Sequence, residues 1–436
     1  MHTAKHLKNT LFYQLEKLAA DPSRFLFDPN KDFTRSGKLG GISEVSKIIL
    51  SLETGSLKDE LLKYFNYSPS TISTSEFVQA RSKIKYQFFQ ILFHRFNLSS
   101  YNEKLYKGFR LISVDGSSVP ISFDPFDSET HCLNHGQDEK GYCAYHLNAA
   151  YDLLENTYHD VIIQPEALMD ENGAFNELVD RFPTEHKALF IGDRGYESIN
   201  SFEHVNRSGN KYLIRVKDIH SKTSITKSFD VPKGEFDIDR KKVLTRLQTN
   251  QVKNHPEIYK IMPKVQKFDF FDECPFYDFR CRIVRFKISE DTFETIFTNL
   301  DREEFPVEEI KELYNMRWGI ETSFRELKYA LGLNAFHAKN RNSIKQEIYA
   351  RLILYNFSQR VISTIKIPSK KRKHIYQINF TRAFHILREF IKKADGLHPS
   401  TVESLIAKEI LPVRPGRSDP RKVRPKTVVH FNYRFD

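Results

Sequence analysis

Ala188-Leu189-Phe190-Ile191-Gly192-Asp193, then the run 199–207, then Tyr212-Leu213-Ile214-Arg215-Val216, is the stretch on which the reading of the fold turns. The two apolar runs have strand length and composition, the first closed by Gly-Asp, and the residues between them read as a helix. Upstream, Leu111-Ile112-Ser113-Val114 predicts a strand ending at Asp115. A hairpin follows over 142–153 and 158–163, turning at Glu155-Asn156, and then a helix over 173–181. Three strands, a helix, a strand, a helix and a strand form an α/β order with a mixed sheet.

Downstream, from about 218 to 300, the pattern turns to β. Runs 279–288 and 292–298 have strand composition, with Arg280, Arg282, Arg285 and Lys287 interleaved. This segment reads as an insertion before a helix announced by Pro306, Glu308 and Glu309, an early proline with acids in the first turn. A further helix over 344–364 is apolar on one face.

The ends differ from the middle. Residues 1–100 read as helical, with Ile42, Val45, Ile48, Ile49 and Leu52 at helical spacing and Leu57, Leu61, Leu62 and Phe65 opening a second run. The turn Ser68-Pro69-Ser70-Thr71 precedes a polar helix over 75–83, capped from Ser73 to Ser75 and carrying Gln79, Arg81 and Lys83. That order suits a helix-turn-helix reader of DNA, and equally a three-helix packing unit. After Pro368 comes Lys370-Lys371-Arg372-Lys373, and 412–425 is too rich in Pro and Arg to build a core. Net charge is +11, with the positive excess at the two ends and a net acidic middle. A polyanion held by the ends is the expectation, against the plainer one of a solubilising tail.

With 436 residues, 40% hydrophobic and 28% charged, the chain has the composition of a globular protein of two to four domains. No signal peptide opens it and no apolar run has membrane-spanning length, so a cytoplasmic site and free thiols are expected. Cys132, Cys143 and His146, with His131 and His135 nearby, invite a zinc reading. Their spacing fits no standard finger and 143–148 reads as a strand, so structural roles are expected.

The chemistry lies in three acids. Asp115 and Asp193 close strands, and the third stands in Leu313-Tyr314-Asn315-Met316-Arg317-Trp318-Gly319-Ile320-Glu321, a helix continuing to Lys328. Tyr314, Arg317, Glu321 and Lys328 are spaced so that a single helix presents them along one stripe. In open α/β sheets, sites form beyond the carboxyl ends of strands, where both aspartates would fall. Carboxylates holding two Mg²⁺ ions about 4 Å apart, ringed by phosphate-binding groups, suit phosphodiester cleavage. Singly, each residue has an ordinary reading: Asp115-Gly116 and Asp193-Arg194-Gly195 as turns, Arg317–Glu321 as a weak surface pair, and Trp318 as core. Tyr314 and Lys328, in phase with the acid, favour the joint reading.

Tyr-x2-Arg-x3-Glu-x6-Lys, here Tyr314, Arg317, Glu321 and Lys328, resembles the signature of transposases of the IS4 family. Val114-Asp115-Gly116-Ser117 looks like the segment around that family's first catalytic aspartate. Ile191-Gly192-Asp193-Arg194-Gly195-Tyr196 looks like the second, and 212–217 like the strand after it. The similarity spans about 105–345. It implies an RNase H-like mixed-sheet core interrupted by a β-strand insertion, within a catalytic domain over 105–365. A helical DNA-binding domain over 1–100 and a basic region for DNA binding or dimerisation over 366–436 would flank it.

The resemblance further implies DDE chemistry: cut-and-paste excision and insertion of a DNA element at terminal inverted repeats, dependent on two Mg²⁺ or Mn²⁺ ions. Asp115, Asp193 and Glu321 would bind the metals. Tyr314, Arg317 and Lys328 would hold phosphates, and Trp318 would accommodate a distorted end. The partners expected are double-stranded DNA, both element ends and target, and a second copy of the chain pairing two ends in a bacterial cytoplasm. Gln79, Arg81, Lys83 and Lys370 to Lys373 would add DNA contacts. Two rivals remain: a non-catalytic DNA-binding regulator derived from a transposase, and an RNase H-fold nuclease without strand transfer. Intact acids weigh against the first, and the signature helix, insertion and basic ends against the second.

Overall fold

A computed structural model describes residues 3–34, 37, 39–100, 102–133, 140–271, 274–290, 292–367, 374–392 and 398–413. The chain opens with helices α1 (Ala4–Ala19), α2 (Ile42–Ser51), α3 (Leu57–Tyr64), α4 (Thr74–Ser82) and α5 (Gln87–Ser99). The central unit follows: strands β1 (Arg110–Pro120), β2 (His131–Cys132), β3 (Tyr142–Asp152) and β4 (Thr157–Pro165), helix α6 (Glu171–Asp180), strand β5 (Ala188–Gly192), helix α7 (Ile199–Arg207) and strand β6 (Lys211–Val216). β1 pairs antiparallel with β3 and β3 with β4, whereas β1, β5 and β6 run parallel. The order β4-β3-β1-β5-β6, with α7 carrying the chain between parallel strands, is the mixed sheet of an RNase H-like core.

The insertion holds strand β7 (Phe236–Thr245), helix α8 (Asn250–Asn254) and strands β8 (Tyr259–Ile261), β9 (Phe276–Ser289) and β10 (Thr292–Thr298). It extends the same sheet, because β10 pairs with β6 and β9 with both β10 and β7. Two charges interleaved in β9 are neutralised locally: Arg282 forks onto Asp237 at 2.8 Å, and Arg285 contacts Asp218 at 3.0 Å. The chain ends its described part with α9 (Val307–Met316), α10 (Trp318–Arg325), a π-helical turn over Glu326–Ala330, α11 (Arg341–Thr364), β11 (Tyr376–Ile378), α12 (Phe380–Lys392), α13 (Pro399–Ile406) and β12 (Ile410–Pro412).

Strand alternation explains the layering. Leu111, Leu189, Ile191 and Leu213 point into one apolar cluster, and Ile112, Val114, Phe190, Tyr212 and Ile214 into the other. The second is closed by Phe175, Leu178, Phe202 and Val205 of α6 and α7. The first takes in α9, α10 and α11, but also residues of α1, α2, α5, α12 and α13. Sides that are both apolar give strands that read as continuous hydrophobic runs.

Four expectations are corrected here. β1 does not end at Asp115 but pairs with β3 as far as Pro120, since only its parallel neighbour β5 stops short. Gly116 is therefore strand, and the Asp-Gly turn reading falls. The signature does not lie on one helix: Arg317 breaks it between α9 and α10, and Lys328 sits in the π turn. The terminal helices do not stand apart from the centre at residues 100 and 366, because Leu7, Leu11, Phe384, Leu387, Val402 and Ile406 share the core with Ile320 and Phe324. Finally, Arg81 does not face solvent. It is 2% exposed, 2.8 Å from Glu347, and it donates to the Ser343 carbonyl at 3.0 Å. The inward stripe of α4 is Phe77, Ala80 and Arg81.

Gln79, by contrast, is exposed on α4, and Lys83 is partly exposed at its C-cap. The N-terminus of α4 carries a capping box, Ser73 with Glu76. Lys370 to Lys373 and the segment after 413 lie outside the described residues.

Candidate active site

Parallel register brings the first two acids together. The last β1–β5 pair is Ser113 opposite Ile191, so Asp115 and Asp193 each follow two residues beyond it. Leu111 and Leu189, further back on the same strands, lie in the cluster that α10 closes. By the two-residue alternation of strands, Asp115 points to the face that α10 covers. α10 approaches closely at Gly319, where a Cβ would come within 3.0 Å of Leu153 Cδ2. Glu321, one half-turn on, lies within electrostatic reach of Asp115, as does Asp193.

Burial pushes the Asp115 carboxyl up to about 6. The Gly116 N–H, donating at 2.9 Å, and Arg317 work against that shift, while Asp193 and Glu321 add to it. Asp193 accepts from the Gly195 N–H at 2.7 Å and so caps the short turn Arg194–Tyr196. Its turn role and its place beside Asp115 coexist.

Arg317 is 5% exposed, which excludes a surface ion pair. It donates to Glu321 at 2.8 Å and stands 3.9 Å from Asp115. Its Nε and the hydroxyl of Tyr314 are buried without a hydrogen-bond partner. Burial pushes the Tyr314 hydroxyl up to about 12, against the pull of Arg215 and Arg317, whose guanidinium carbons lie 5.9 and 5.6 Å from its ring. Lys328 is drawn below its usual pKa by burial, with Glu166 offsetting part of the effect. Trp318 is not core: it is 51% exposed, with Arg317 5.3 Å from its ring.

The donor set, three carboxylates, suits a hard divalent cation. Arg317 supplies the counter-charge between Asp115 and Glu321, and among the described residues no three Asp, Glu, His or Cys side chains are gathered tightly enough to hold an ion. That also bears on the cysteines. Cys143 donates to the Asp124 carbonyl, His131 meets the Lys140 carbonyl at 2.9 Å, and His146 faces carboxylates. His135 lies outside the described residues. Among the described residues no helix is long and apolar enough to cross a membrane.

Gln79, Lys83 and the acids are thus placed on separate elements; among the described residues the structure brings together Asp115, Asp193, Glu321, Arg317 and Tyr314, with Trp318 beside Arg317. Sequence reasoning missed Arg215, Glu166 and Glu171, which come from three different elements and carry no spacing signal.

A family model described as a transposase DDE domain matches residues 106–357. No curated protein matches the sequence. Among solved structures, the chain is similar to a piggyBac transposase synaptic complex with hairpin DNA, at 10% identity and a TM-score of 0.48, over 96% of this chain and 87% of that one.

Proposed function

The chain belongs to the transposase DDE domain family, and from that premise we propose that it is a cut-and-paste transposase of the IS4 type, excising and inserting an insertion-sequence element at terminal inverted repeats. The observation that carries the reading is the level placement of Asp115 and Asp193 at the β1–β5 split, with Arg317 between Asp115 and Glu321.

Asp115, Asp193 and Glu321 would hold two divalent cations, Mg²⁺ or Mn²⁺, which when bound activate the attacking oxygen and relieve charge on the leaving one. Arg317 and Tyr314 offer their unpartnered Nε and hydroxyl to phosphate oxygens, and Lys328 adds charge from the π turn. These contacts fix the scissile bond against the acids. Water attack at the element boundary releases a 3′-hydroxyl, and that hydroxyl then displaces a second phosphodiester in the opposite strand or in target DNA. Trp318, half-exposed beside Arg317, offers a stacking surface to a distorted end.

Gln79 and Lys83 on α4 read sequence, while Lys370 to Lys373 and the tail after 413 add charge without sequence preference. The working form is a homodimer pairing two ends. Supercoiled plasmid carrying cognate ends, incubated with Mg²⁺, tests all of this. Integration supports the proposal. Cleavage alone means a nuclease, and binding without cleavage means a regulator.

A further inference from the structure

Behind the catalytic acids, on the sheet face opposite α10, lies a second set of charges that the reaction as described does not use. His146 of β3 is 5% exposed and stands cross-strand from Ser118 of β1. Its Nδ1 is 3.4 Å from Glu166 and its Nε2 is 3.1 Å from Glu171, in the first turn of α6. Each ring nitrogen thus has one carboxylate beside it, at ion-pair distance when the ring is protonated. Burial opposes the charge of the imidazole, but the two carboxylates outweigh it and push its pKa up to about 9. Glu166 is itself tied to β1 by the Ser118 hydroxyl at 2.7 Å.

The pair fits against backbone that follows each aspartate. A Cβ at Gly116 would come within 2.3 Å of His146 Nε2 and 2.7 Å of Glu171 Oε1. A Cβ at Gly195 would lie 3.6 Å from Glu171 Oε2 and 3.0 Å from Asp193 Oδ1. Neither glycine has a positive φ, so it is space rather than backbone conformation that a side chain would violate. The carboxylate of Glu171 thus spans from the residue after Asp115 to the turn that Asp193 caps.

We propose that His146 is a positioning residue: as an imidazolium it clamps Glu171 behind Gly116 and Gly195 and so sets the separation of Asp115 and Asp193. The inference rests on the metal-dependent reading of those aspartates. Groups that orient metal ligands from behind typically change metal affinity or activity by about 10- to 100-fold when removed.

The test compares full-length wild type with His146→Gln, Gly116→Ala and Glu171→Gln. Mn²⁺ binding is followed by electron paramagnetic resonance without DNA, and cleavage of cognate ends is followed with kcat and KM separated. The expected result is a Mn²⁺ midpoint raised about tenfold or more and a lower kcat in all three variants, with end-binding KM close to wild type; the melting temperature should stay close to wild type for Glu171→Gln and fall for His146→Gln and Gly116→Ala. Wild-type Mn²⁺ midpoints in the variants would overturn the role of His146 and leave the site itself standing. If His146→Gln fails to fold, Glu171→Gln decides alone, since it breaks the same pair from the partly exposed side of α6. A wild type that neither binds Mn²⁺ nor cleaves would sink the reading of the acids and this inference with it.

Discussion

Arg317 stands between Glu321 and Asp115, 2.8 Å from the first and 3.9 Å from the second, and so joins α10 to β1. Removing it takes away the counter-charge of two acids and, on the proposed function, a phosphate contact. Arg317→Ala should lower cleavage by about one to two decades, the equivalent of a charged hydrogen bond of roughly 1.5–3 kcal/mol. Arg317→Lys should recover only part, because a lysine cannot bridge two oxygens as a planar fork does. Single-turnover cleavage of a labelled end measures both; activity within about threefold of wild type for the alanine variant would reduce Arg317 to a bystander.

Asp115→Asn, Asp193→Asn and Glu321→Gln should each abolish cleavage while leaving affinity for an element end within a few-fold of wild type. Each keeps its shape and loses the negative charge that the proposed metal site needs. Gel-shift titration beside a nicking assay separates the two effects, and near-normal nicking by any one variant removes that residue from the site.

Arg81→Ala should act on stability instead of DNA recognition. The guanidinium and Glu347 form a buried pair, and deleting one partner leaves the other charge uncompensated, typically at about 3–5 kcal/mol. Burial resists the ionised form of Glu347, but Arg81, His337 and Arg351 more than offset it and hold its pKa far below the usual carboxylate range. The stabilisation is therefore present at neutral pH and lost as pH falls below the unfolded value. Urea melts at pH 7 and pH 3 should show the Arg81→Ala penalty shrinking with acid. Gln79→Ala with Lys83→Ala should do the reverse of Arg81→Ala: unchanged melting, weaker discrimination between cognate and scrambled ends.

Glu326 offers a pH test of the π turn. Burial pushes its carboxyl up to about 7 from 4.5, although Tyr355 donates to it at 2.9 Å. A raised carboxylate costs nothing while protonated in both states, below about pH 4.5. The cost grows as pH climbs to about 7 and stays constant above. Glu326→Gln should then stabilise the chain at pH 8 by up to about 2–3 kcal/mol and leave it unchanged near pH 4.5. Denaturation midpoints at the two pH values decide.

Truncation after residue 413 should flatten the salt dependence of DNA binding for every sequence alike. Losing four phosphate contacts would change the log–log slope by about 3 to 4. The cut belongs there and not at 366, because α12 and α13 are built into the core through Phe384, Leu387, Val402 and Ile406. Fluorescence titration over a range of salt checks it; an unchanged slope would deny the tail its role.

Much of this arrangement was legible in the residues. The runs 188–192 and 212–216 read as buried strands because both sheet faces are apolar there, and 199–207 matched its helix to the residue. The insertion was visible as a change of pattern. What could not be read were properties of pairing. That β1 runs on to Pro120 depends on β3 alongside it, and the level placement of Asp115 and Asp193 is a matter of register between strands far apart in sequence. The inward turn of Arg81 has no local signal, since α4 is short and weakly amphipathic and its partner Glu347 comes from α11. The π turn bearing Lys328 shifts a residue without changing its spacing.

The Arg81–Glu347 strut carries one more consequence. α11, which it grips, also holds Tyr355 against Glu326, in the turn that follows α10. α4 is therefore linked through α11 to the segment bearing Glu321 and Lys328 by the Arg81–Glu347 and Tyr355–Glu326 contacts. If α4 reads the element end as proposed, the body of the protein would act as a ruler: an element whose end is lengthened by a few base pairs should be bound normally and cut in the wrong place or not at all.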